Sequence, residues 1–191
     1  MERRDAILDA ALRCFTARGL LATGIEEIRK EAGASPSSVY NLFADRNDIV
    51  LGLLTRTFER LFAHIVSRSA RPRTAKGLVT AIVDAHLEWV LEHRDEGRFL
   101  YQATVLEMTP GASEALQRKK AELLAPVVAR LGPFVEAGEL PRWPTLVFDV
   151  VLLGPSHEAC RRLLAGAPLE PEWMRRELPR LAWATIASRR A

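Results

Sequence analysis

The 191-residue chain is predicted to be all-α. Three observations carry that expectation. Apolar residues recur at helical spacing from one end of the chain to the other. Gly and Pro fall in clusters between these periodic segments, at 109–111, 132–144 and 166–171. No alternating apolar–polar run bounded by hairpin turns is present. About nine helices follow from the pattern.

The first helix covers 4–18, where Ile7, Leu8, Ala11, Leu12 and Phe15 form one stripe between Arg and Asp residues. Gly19 is its stop. A short helix spans about 25–32, with Thr23 in a capping position, Glu26 and Glu27 in the first turn, and Gly33 behind it. A third runs from Ser35, as cap, through Pro36 at the first helical position to about Phe43. The fourth starts near Asp45 or Asn47 and extends to about Ser67. Residues 68–77 form a polar break. Longer helices are expected at 78–94, 96–108, 112–131, 145–165 and 171–188. Pro155 lies inside the eighth segment and predicts a kink there. The organisation expected is a helix-turn-helix domain at 1–48, with the motif at about 24–43, and a helical body at 49–191.

Composition narrows the function class. With 48% hydrophobic and 27% charged residues, the chain has enough apolar material for a packed core. Two cysteines, Cys14 and Cys160, make neither a disulfide framework nor a zinc site, which points to a reducing, cytoplasmic setting. Asp5 and Asp9 interrupt any secretory apolar region. The most apolar stretch, 145–155, is too short for a membrane span and contains Asp149, so an integral membrane protein is excluded. No nucleophile elbow, HExxH helix, phosphate-binding glycine loop or CxxC pair is present, so no enzyme is expected.

The chemistry concentrates at 23–46. Two short helices around a Gly-containing turn would carry small polar side chains at the start of the second, as a helix inserted in a major groove requires. Val39 and Phe43 are four apart and pack inward. Ser37, Ser38, Tyr40 and Asn41 face outward. Helical hairpins of many kinds share such a pattern. The whole run from ILDAALRCFTARG through Ala22-Thr23, Ile25, Ile28, Ala32-Gly33, Ser35, Tyr40, Phe43 and Asp45-Arg46 is more specific. It resembles the DNA-binding domain of the tetracycline-repressor (TetR) family of transcriptional regulators.

That resemblance implies a homodimer that places two third helices in successive major grooves of a pseudo-palindromic operator in double-stranded DNA. It implies that Thr23 and Gly24 open the second helix at a phosphate. Ser35, Pro36, Ser37, Ser38, Tyr40 and Asn41 would form the reading face, and Arg46 would clamp a phosphate. Three positions depart from the family pattern: Gly24 lacks a hydroxyl, Pro36 replaces a common Lys, and Leu42 replaces a polar residue. An alternative therefore stays open, a helical ligand-binding dimer with degenerate DNA binding.

The body is expected, by the same resemblance, to dimerise through about 145–165 and 171–188 and to bind an unknown small-molecule effector that releases DNA by tilting the fourth helix. Both terminal helices are apolar over more than one face. Candidate ligand contacts are Phe62, His86, Trp89, Phe99, Tyr101, Met108, Leu124, Phe148 and His157, since a pocket is mostly apolar with a few polar anchors. His157 and Cys160 share a face, but local hydrogen bonding and core packing are the better reading, and neither a metal nor another cofactor is expected.

Residues 1–50 hold seven Arg/Lys against eight Asp/Glu, a net −1, and the remaining residues carry +4. DNA contact then rests on a few placed cations: Arg3, Arg4, Arg29, Lys30 and Arg46. The expected outcome is a shallow salt dependence. The slope of log K against log salt should stay shallower than about −8 per dimer, and a steeper slope would contradict the count of contacts.

Overall fold

The computed structural model describes residues 2–104 and 110–187. Among these residues the backbone forms nine helices and no strand. They are α1 (Glu2–Arg18), α2 (Ile25–Glu31), α3 (Pro36–Tyr40), α4 (Arg46–Ser69), α5 (Ala75–Glu92), α6 (Arg94–Ala103), α7 (Pro110–Glu136), α8 (Thr145–Leu164) and α9 (Pro171–Ala187).

Local chemistry sets most of the boundaries. Gly19 and Gly33 follow α1 and α2 with φ of 88° and 58°, a region that L side chains avoid. Ser35 caps α3 by accepting from the Ser38 amide at 3.2 Å, with Pro36 in the first turn. Asp45 caps α4, and Asp48 reaches back to the turn before it. The Asp48 amide donates to Asp45 Oδ1 at 2.8 Å and the Ala44 amide donates to Asp48 Oδ2 at 3.0 Å. Thr74 caps α5 through the Gly77 amide, so α5 begins at Ala75 and the expected break at 68–77 shrinks to a few residues.

Other helices also differ from the sequence expectation. α3 stops at Tyr40, short of Phe43. α6 begins at Arg94 and ends at Ala103, and the rest of the expected 96–108 helix meets residues 105–109, outside the described residues. α7 continues through Pro126 and Pro133 to Glu136, so the expected loop at 132–144 is shorter. A proline inside a helix forfeits one amide bond. Here the helix persists because Leu116, Val127 and Leu131 gain burial by keeping their register. α8 likewise runs through Pro155.

The chain divides into two compact units. One comprises Met1–Phe58 and Asp95–Arg118, the other Glu59–Arg94 and Lys119–Ala191. This differs from a cut between 48 and 49: the N-terminal unit keeps the first half of α4 and adds α6. The physical reason is visible in its core. Ile7, Leu8 and Phe15 of α1, Ile28 of α2, Val39, Phe43, and Ile49, Leu53 and Leu54 of α4 are buried. Phe99 of α6 stacks on Phe15 with ring centres 5.6 Å apart. Arg56 ties α4 to α1, reaching Asp9 at 2.7 Å and Asp5 at 3.6 Å.

The second unit is built around α5, which packs against α8 and α9. Leu78, Val79, Ile82, Val83, His86, Leu87, Trp89 and Val90 are all buried, as expected of a helix apolar on most sides. α9 answers with Met174, Leu178, Ala182 and Ile186, one stripe at four-residue spacing.

Truncating Phe99 to Ala is expected to cost about 3–5 kcal/mol in urea unfolding. Amide exchange should accelerate in α1 before it does in α5 or α9. Acceleration confined to the second unit would contradict the assignment of α6.

Candidate functional site

The reading face starts from a helix of five residues. α3 exposes Ser37 and Tyr40, the latter 53% exposed, and its cap residue Asn41 lies at the surface. Val39 beneath them is fully buried. Ser35, Ser37 and Ser38 form a hydroxyl cluster, with Ser35 Oγ 3.1 Å from Ser37 Oγ and 2.7 Å from Ser38 Oγ. Pro36 stands exposed at the first helical position. The face thus presents hydroxyls, a phenol and an amide, groups that both donate and accept. It has no acid and no base of its own.

The residues expected at phosphates are placed differently. Thr23 is buried, and its hydroxyl donates inward to the carbonyls of Gly19 at 2.9 Å and Cys14 at 3.3 Å. The Gly24 amide donates to Glu27 Oε2 at 3.0 Å, which closes the start of α2 from within its own first turn. Arg46 does not project freely. Its Nε donates to the Thr23 carbonyl at 2.6 Å and its Nη2 to the Leu20 carbonyl. The guanidinium stitches the α1–α2 turn to the start of α4, a role the sequence does not reveal because the acceptors are backbone.

The other cations of this unit are also largely engaged. Arg29 donates to Glu26 at 2.9 Å and to the Ala34 carbonyl at 3.1 Å, holding the α2–α3 turn. Arg4 lies over the Phe43 ring at 4.9 Å. Arg3 and Lys30 are exposed. The near-neutral unit therefore offers fewer uncommitted cations than its sequence suggests.

The expected ligand contacts do not assemble as one group. Phe99 and Tyr101 belong to the first unit, and Phe99 is spent against Phe15. Met108 lies outside the described residues. Phe62, His86, Trp89, Leu124, Phe148 and His157 belong to the second unit. Within it, an apolar cleft of about 30 Å³ is lined by Ile82 of α5, Leu124, Val127, Val128 and Leu131 of α7, and Thr145, Phe148, Asp149, Leu152 and Leu153 of α8. Of the expected contacts, Leu124 and Phe148 line it. The stripe 124, 127, 128 and 131, at the i, i+3, i+4, i+7 spacing, was the signal in the sequence that marked this wall.

His86 and His157 meet edge to face at 4.4 Å between ring centres. His86 is fully buried, and loss of water, with a smaller contribution from His157, holds its pKa well below the usual histidine value. Burial also lowers that of His157, with Asp149 acting against and Lys120 with that shift. Trp89 stacks on His93 at 4.8 Å. Ser156, beside His157, is completely buried, and its Oγ has no hydrogen-bond partner. Cys160 is buried too, and among the described residues no group of three potential ligands could hold a metal. No helix of the described residues is long and apolar enough to cross a membrane.

Five large apolar side chains remain exposed on the last two helices. They are Leu146, Val147 and Val150 of α8 and Trp173 and Leu181 of α9. Leu146 is 69% exposed and Val150 60%.

Residues 7–53 match the model of the bacterial regulatory proteins of the tetR family. The chain is 34% identical over 105 residues to the HTH-type transcriptional repressor KstR2 of Mycobacterium tuberculosis, covering 51% of this chain and 52% of that protein. It is 29% identical over 96 residues to the HTH-type transcriptional activator FasR of Mycolicibacterium smegmatis, covering 50% and 43%. The chain thus spans about half the length of the curated relatives it matches. The crystal structure of a TetR family transcription regulator from Marinobacter aquaeolei superposes with a TM-score of 0.75 at 20% identity, covering 96% of this chain and 95% of that one. This likeness concerns the fold.

Replacing Arg46 by Ala is expected to lower stability by about 1–3 kcal/mol in the absence of DNA, because the Thr23 and Leu20 carbonyls lose their donor. Lys should not restore it, since one ammonium cannot reproduce the planar fork. Unchanged stability with weakened DNA binding would instead make Arg46 a phosphate clamp.

Proposed function

We propose that the chain, whose residues 7–53 match the tetR family of bacterial regulatory proteins, is a DNA-binding transcription regulator, a ligand-responsive repressor acting as a homodimer on a pseudo-palindromic operator. One observation carries the reading. Apart from Pro36, the exposed side chains of α3 are small polar or aromatic hydrogen-bonding groups, set on a buried Val39 and a capped first turn. Such a face suits the donors and acceptors of base edges in the major groove. Thr23 and Gly24 take part as the frame of the α2 turn, the Thr23 hydroxyl and the Gly24 amide both being committed within it.

Exposed Leu146, Val150 and Leu181 support pairing through α8 and α9. A monomer gains nothing by holding these in water, and a two-fold partner would cover them. Two reading helices held about one DNA turn apart, ~34–36 Å, would then match two half-sites. Effector binding in the second unit acts through α4, whose residues are shared between the two units. An effector that favours the DNA-free arrangement weakens operator binding, and operator DNA weakens effector binding by the same factor.

The second reading, a dimer with degenerate DNA binding, draws support from Thr23 and Arg46, whose polar groups are spent internally. A gel shift on the intergenic DNA beside the coding sequence separates the two. The repressor reading expects a shift between nanomolar and micromolar protein. Tyr40→Ala or Asn41→Ala should each cost roughly tenfold or more in affinity. The pair Val150→Glu and Leu181→Glu should sediment as a monomer and lose the shift. Absence of any shift, with footprinting equally blank, favours the degenerate dimer.

A further inference from the structure

The cleft in the second unit and the buried polar groups beside it lie on one seam. Ile82 and His86 are one turn apart on α5, and Leu152 and Ser156 are one turn apart on α8, about 6 Å along each axis. Both helices pack together. Ile82 and Leu152 line the apolar cleft, while Ser156 lies one turn on, buried and without a hydrogen-bond partner. A helical serine ordinarily bonds back to a carbonyl of the preceding turn. This one does not, and a hydroxyl deprived of both water and partner is costly to keep.

We propose that this seam binds a molecule with an apolar body and one uncharged hydrogen-bonding end, of the long-chain alcohol or ketone type, with the end at Ser156 and the body between α5, α7 and α8. The inference rests on the reading of this unit as an effector domain and names the chemistry that the effector site takes. Three observations fix the chemistry. The lining is apolar but for Thr145 and Asp149. Asp149, the single ionisable group in that lining, disfavours a carboxylate. The polar residues one turn further in are a serine and a histidine pair in edge contact, and burial keeps their imidazoles neutral. A charged end seated there would lose its hydration with no counter-ion at Ser156.

The cleft volume of about 30 Å³ is room for about two waters, far below the few hundred Å³ of a typical ligand pocket. Opening falls to α7. Its wall residues Val127 and Leu131 are interleaved with Pro126 and Pro133, each of which removes one amide from the helical ladder. Of the three walls this one has two such gaps within eight residues.

Calorimetric titration of the full chain with 1-octanol, octanoate and octylamine tests the proposal. 1-Octanol is expected to bind roughly tenfold more tightly than either charged analogue. Ser156→Ala should weaken 1-octanol about fivefold with no loss of melting temperature. Val128→Trp, at the exposed lip of the cleft, should abolish binding. If octanoate or octylamine binds as well as the alcohol, or Ser156→Ala changes nothing, the uncharged-end inference is overturned while an effector cleft stands. If none of the three binds, the cleft falls with it, and DNA binding by the first unit is untouched.

Discussion

A helix of five residues has no stability of its own, because nucleation costs more than so few hydrogen bonds return. Everything that α3 can do depends on how it is held. Val39 and Phe43 anchor it in the core of the first unit, Ser35 and Pro36 fix its entry, and Arg29 closes the turn before it. The adjoining α1–α2 turn is secured in the same manner by Thr23 and Arg46, whose donors reach backbone carbonyls. The side chains left over for recognition are those that the frame does not need. This is why the hydrogen-bonding groups left exposed are hydroxyls, a phenol and an amide, while the cations nearby are mostly committed to structure.

The same division explains what could be read from the sequence. Helix periodicity and capping residues were legible: Ser35-Pro36 marked α3, and Gly19 and Gly33 marked two stops, each now seen with positive φ. The pattern over 7–46 pointed to the TetR family, and the family match covers those residues. Side-chain-to-backbone bonds were not legible, because their acceptors carry no residue identity. Arg46 is the clear case. Its position at the start of α4 invites a phosphate, yet two carbonyls of a neighbouring turn take its donors. Thr23 is similar, a capping residue by pattern whose hydroxyl turns inward.

In the second unit the difficulty was of another kind. His86, Trp89 and His157 stood out as large or titratable residues among aliphatic ones, whereas the walls of the cleft are, besides Phe148, mostly ordinary leucines and valines. Nothing in residue type separates a wall-lining Leu152 from a core Leu87. Residue type alone does not single out Ser156, since serine is usually solvated. Only burial on every side makes it conspicuous. Pro133 of α7 misled in the opposite direction, reading as loop where apolar contacts carry the helix through.

The small volume of the cleft also sets a clock. Any guest larger than a pair of water molecules enters no faster than the wall formed by α7 parts. Its observed association rate should therefore level off at high concentration instead of rising in proportion. Sensitivity to a guest is governed by the contacts inside the seam, but promptness is governed by the two missing amides at Pro126 and Pro133. The two properties can be adjusted separately, one from α5 and α8, the other from α7.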